Sequence, residues 1–91
     1  MPNNAMWLSI DGGRAAVALR EALEKLDGAG GEVVLDFTSV RRVDPDALGV
    51  MEKIAGAAGD KAVKVVLHGV NVGIYKTLKL SKLAPRFSFQ T

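Results

Sequence analysis

The sequence predicts an α/β fold in which helices pack on a mixed, mainly parallel sheet. Two observations carry the prediction. Short Val- and Leu-rich runs alternate with stretches whose apolar residues recur at three- and four-residue steps, and Gly, Pro, Asp and Asn mark the boundaries between them.

Taken in order, Met6 to Ile10 reads as a short strand and Asp11-Gly12-Gly13 as the turn after it. A first helix follows from about Arg14 to Leu26. Ala16, Leu19, Leu23 and Leu26 form its apolar stripe, while Glu21 and Lys25 stand one turn apart on the polar side. Gly28-Ala29-Gly30-Gly31 ends that helix. Glu32 to Phe37 is a strand apolar on both faces, the pattern of a central strand in a covered sheet. The second helix, about Pro45 to Ala58, has a start marked three times: Asp44 can cap it, Pro45 suits the first helical position, and Asp46 complements its positive end. Leu48, Met51, Ile54, Ala55 and Ala58 fall on one face, and Gly56 and Gly59 weaken its end. Val63 to Leu67 is the next strand. Asn71 is the expected cap of a third helix, in which Ile74 and Leu78 face inward with Tyr75 beside them. Pro85 stops further helix, and Phe87-Ser88-Phe89 alternates as an edge strand.

The 91 residues suit a single domain spanning 1–91, with one modest core. A composition of 48% hydrophobic and 24% charged residues is that of a globular protein, not of a disordered or fibrous one. The absence of cysteine excludes disulfides, thiolate catalysis and cysteine zinc sites. No apolar run approaches the roughly 20 residues of a spanning helix, and Met1 to Ile10 lacks the build of a signal peptide, so a cytoplasmic location is expected. A net charge of +2 is too small to attract nucleic acid in bulk.

Catalysis has little material. His68 is the only histidine, no serine or threonine sits in a nucleophile-elbow pattern, and Gly12-Gly13 lacks the residues that complete a phosphate cradle. No enzyme activity, metal or cofactor is expected. Asp36, Asp44 and Asp46 lie near the carboxyl end of a central strand, where ligands of open α/β sheets gather, although helix capping already accounts for Asp44 and Asp46. Trp7 and Tyr75 read as packing residues. Lys76, Lys79, Lys82 and Arg86 would form a basic stripe if the third helix continued that far, and any nucleic-acid role would rest on it alone.

The run from Val33 to Val50 carries a resemblance. Leu35-Asp36-Phe37, then Val40 to Val50 with Val43-Asp44 at its centre, resembles the pattern of the STAS domain, the fold of bacterial anti-sigma-factor antagonists: a strand ending Leu-Asp-Leu, then Val-x-x-Ile-Asp-Ser-Ser-Gly-Leu-Gly-Val. Ala16-x-x-Leu19-Arg20-Glu21-Ala22-Leu23 is similar to the family's first helix, and Leu78 to Leu83 with Phe87 to its close. The resemblance implies a STAS-like sheet of four to five strands with about three to four helices. Only Met6 to Ile10 stands where the family has two strands, so the N-terminal hairpin is expected to be shortened and an edge strand left bare.

The function implied is that of a protein-interaction module. In partner switching, which regulates transcription, an unphosphorylated antagonist holds an anti-sigma factor or related kinase-like regulator, and phosphorylation of the hydroxyl after the motif aspartate releases it. This chain carries Pro45 at that position, so no phosphorylation site is expected, and binding is constitutive or regulated on the partner's side. The expected partner-binding residues are Arg42, Asp44, Pro45, Asp46, Ala47, Gly49 and Met51. Ala47 and Gly49 permit close approach, Met51 offers adaptable apolar contact if partly exposed, and Asp44 with Asp46 sets charge preference. As a mimic of a phosphate, Asp46 has a single charge and two oxygens against nearly two charges and three oxygens. The alternative is an accessory STAS subunit of a membrane transport or lipid-trafficking complex, with that complex's ATPase as partner. A homodimer stays open, and nucleic acid is the least favoured partner.

Overall fold

The computed structural model describes residues 6–28 and 31–90. Residues 1–5, where a first hairpin strand would lie, and the Ala29-Gly30 part of the expected glycine turn fall outside them. Strands β1 (Met6–Ser9), β2 (Glu32–Asp36), β3 (Lys64–His68) and β4 (Ser88–Gln90) form one sheet in the order β1-β2-β3-β4, with every neighbouring pair parallel. The crossovers are α1 (Ala15–Lys25), α2 (Pro45–Lys61) and α3 (Val72–Leu80), with single 3₁₀ turns at Leu26–Gly28 and Ala84–Arg86.

When spatial order follows chain order and crossovers are right-handed, all the helices lie on one face of the sheet. The core has that composition. Val33 and Leu35 of β2 and Val65 and Leu67 of β3 share one buried cluster with Leu19 of α1, Ile54 of α2 and Leu78 of α3. The pleat turns Trp7, Val34, Val66 and Ser88 to the opposite face. The expectation of a sheet covered on both faces is therefore corrected: helices cover one. Val34 and Val66 are buried even so, and Trp7 reaches across β2 to bring its ring within 5.2 Å of the His68 ring.

Helix α2 runs three residues past the expected end at Ala58. Gly56 and Gly59 lower its propensity, but Ile54, Ala55 and Ala58 are buried on the core side, and tertiary packing outweighs a propensity deficit of about 1 kcal/mol per glycine. The helix stops at Ala62, which is left-handed (φ 56°), and Val63 N–H returns to the Ala58 carbonyl at 2.9 Å. The last strand is displaced by one residue from the expected Phe87 to Phe89: Phe87 is buried before the strand begins, and Phe89 lies within it, partly exposed.

The basic stripe is also corrected. Helix α3 ends at Leu80 and Lys82 is left-handed (φ 63°), which breaks the periodicity after Lys79. Arg86 turns away and donates from Nη2 to the Ala55 carbonyl at 3.3 Å.

Candidate partner-binding site

The β2–α2 loop is built as a stiff turn. Asp36, the last residue of β2, accepts hydrogen bonds at Oδ1 from the Thr38 backbone N–H (3.0 Å) and the Thr38 hydroxyl (2.8 Å). These two donors, the backbone one first, hold the Asp36 carboxyl below the ordinary carboxylate range; slight burial opposes them and the nearby His68 assists. A depressed carboxyl stabilises the fold at neutral pH, and that contribution is lost as pH falls through the lowered value. Val40 N–H closes the turn onto the Phe37 carbonyl at 2.9 Å, and Phe37 N–H ties it to the His68 carbonyl at 2.8 Å.

Two neighbours brace the loop. Gly12, in the β1–α1 turn, lies so close that a Cβ there would overlap the Ser39 carbonyl oxygen. Asn71 caps α3 by accepting from Ile74 N–H at 2.8 Å, and its Nδ2 donates to the Arg41 carbonyl at 3.0 Å. Helix α2 then starts as expected: Asp44 Oδ1 accepts from Ala47 N–H at 2.8 Å, and Pro45 occupies the first helical position.

Of the expected partner-binding residues, Arg42, Asp44, Pro45 and Asp46 are exposed and adjacent, and Gly49 is half-buried with open space where a Cβ would stand. Arg42 and Asp44 also line a concavity of about 210 Å³ with Gly12, Gly13 and Ala15. Ala47 and Met51 are corrected. Both are wholly buried, because the helical phase that puts Ile54 into the core carries positions 47, 50 and 51 with it. Neither can touch a partner. Their place on the outward face is taken by Glu52 and Lys53, three and four residues after Gly49, a spacing legible in the sequence and not used. The outward surface is thus a short, side-chain-poor strip, Pro45 and Gly49, flanked by charges of both signs. Among the described residues, no group of His, Asp and Glu is placed to hold a metal ion, and no helix is long and apolar enough to cross a membrane.

Solved structures similar to this chain include transporter-family proteins and a candidate anti-sigma factor antagonist. A sulfate transporter family protein from Wolinella succinogenes superposes with a TM-score of 0.78 at 17% identity, covering 98% of this chain and 79% of its own. The STAS domain of a SulP transporter from Vibrio cholerae gives 0.78 at 12% identity, with 100% and 77% covered. A candidate anti-sigma factor antagonist from Thermotoga maritima gives 0.71 at 22% identity, with 100% and 76% covered. At these identities the likeness is one of fold. No curated protein matches the chain. The family model described as "Mlab, STAS domain" matches residues 6–85, spanning all three helices and three of the four strands, and the chain belongs to the STAS domain family.

Proposed function

We propose that the chain is a protein-interaction module that holds a regulatory partner, an anti-sigma factor or kinase-like regulator, on the surface formed by residues 41–46 and the outward face of α2 at Gly49, Glu52 and Lys53. The observation that carries this reading is the combination of a braced loop with a bare helix start. Hydrogen bonds accepted by the Asp36 and Asp44 carboxylates and donated by Asn71 Nδ2 fix the backbone, so little ordering entropy remains to be lost on binding, while Pro45 and Gly49 let another backbone approach closely. Because Pro45 replaces the family's hydroxyl, release by phosphorylation at that position is not available.

A second reading has its own support. The transporter proteins among the similar structures support an accessory subunit of a membrane transport complex, for which the partner proposed on the same surface is that complex's ATPase.

Affinity capture from cells, followed by calorimetry with the captured protein, tests both readings. An anti-sigma factor or kinase as companion supports the first and a transport ATPase the second. In either case Asp46→Arg is expected to weaken binding by roughly tenfold through charge reversal at the contact, while Lys79→Glu on α3 leaves it unchanged. The reverse pattern would move the site to α3.

A further inference from the structure

A second surface lies on the far side of Asn71. Between α3 and β4 runs an apolar groove of about 220 Å³, floored by Leu67 and Val70, walled by Val72, Tyr75 and Phe89, and closed by Gln90. Its walls are large apolar side chains left in solvent: Val72 is 70% exposed, Tyr75 41% and Phe89 39%. Tyr75 and Phe89 meet edge to face at 5.1 Å, so the wall is preformed. The volume is below the roughly 300 to 1,000 Å³ of pockets for free small molecules, and suits one or two inserted side chains instead. Among the described residues strand β4 is an edge of the sheet, with its outer backbone groups beside the groove.

The charged residues in the part of the chain that builds the groove have one sign. Every Lys, Arg, Asp or Glu after Asp60 is a lysine or arginine. Lys61 is paired with Asp27 at 2.7 Å, and Lys64 stands opposite Glu32 in the β2–β3 register. Lys76 and Lys79 make no ion pair among the described residues, and helical spacing puts them on the same exposed face of α3 as Val72 and Tyr75. An exposed apolar slot with uncompensated lysines on the helix that forms one of its walls is complementary to a chain that is apolar at one point and acidic around it.

We propose that the α3–β4 groove is a docking site for an acidic segment of a partner protein, which inserts one large apolar side chain between Val72, Tyr75 and Phe89 and lays its carboxylates against Lys76 and Lys79. The site is distinct from the α2 surface and does not depend on it.

Selection of random peptides displayed on phage against the whole chain, followed by fluorescence polarisation with the best peptide, tests the proposal. The enriched sequences are expected to be net acidic around a Phe, Trp, Leu or Ile, and their affinity to fall as salt is raised. Val72→Glu is the discriminating variant. It adds an acid to the first turn of α3, where the helix dipole favours it and folding is preserved, yet it sets a like charge at the groove mouth and should weaken the peptide by roughly tenfold. Lys76→Glu with Lys79→Glu should do the same, and Asp46→Arg should have no effect. No enrichment, enrichment of basic peptides, or affinity indifferent to Val72→Glu overturns the proposal. So does binding of phosphatidylglycerol-containing vesicles, or concentration-dependent self-association, that the same variants abolish while no acidic peptide is selected; those outcomes assign the face to a membrane or to a second copy of the chain.

Discussion

Gly12→Ala is expected to cost about 3 kcal/mol of stability, at the upper end of what overpacking does, and to lower the melting temperature by on the order of 15 °C. The substitution looks mild, since an extra methyl ordinarily helps a turn by restricting the unfolded chain. Here the methyl would overlap the Ser39 carbonyl oxygen and stand 2.8 Å from the Ser39 carbonyl carbon, both backbone atoms in a loop already closed by hydrogen bonds. No rotamer change can relieve the clash. One of the two loops must move, and the β2–α2 loop is the platform of the proposed docking surface. Guanidinium melts of the two proteins measure the effect. A loss below about 1 kcal/mol would mean that the loops part easily and that Gly12 is not the close contact that sets their spacing.

At Gly49 stability and binding are expected to move in opposite directions. Gly49→Gln replaces a helix-interior glycine by a good helix former, and the new Cβ enters open space, so the fold should gain about 0.5 to 0.8 kcal/mol. The same side chain stands on the strip between Asp46 and Lys53, where a partner backbone would have to approach. Binding is expected to fall by on the order of a hundredfold, the effect of a buried steric clash at an interface centre. A variant that is more stable than the parent and fails to bind cannot be explained by partial unfolding. Thermal melts and calorimetry with the captured partner give the two quantities from one preparation.

Much of the fold was legible because local and global signals agree. Asp44-Pro45-Asp46 names a helix start by capping, fixed φ and charge, and the Asp44 to Ala47 bond is the one that pattern requires. Asn71 behaves likewise at α3. The errors have specific causes. The end of α2 was misplaced because glycine propensity is local, whereas the contacts that hold Ala55 and Ala58 are tertiary. Met51 shares the buried face with Ile54 and Ala55, as its spacing predicts, so the partial exposure on which its partner contact depended is absent. The basic stripe failed because periodicity in sequence does not detect a left-handed residue such as Lys82. The α3–β4 groove could not be read at all. Val72 and Tyr75 are separated from Phe89 by the whole α3–β4 connection, and only the parallel return of β4 beside β3 brings them together.

The central claim is that a partner protein docks on the β2–α2 loop and the start of α2. Hydrogen–deuterium exchange of the chain, alone and bound to the protein captured from cells, tests it most directly, because amides covered by a partner or stiffened by it exchange more slowly whatever the partner's identity. The expected result is added protection over residues 41–53, with α3, β4 and the strand face carrying Trp7 unchanged. Protection confined to α3 and β4, or to the Trp7 face of the sheet, with residues 41–53 exchanging as in the free chain, would contradict it.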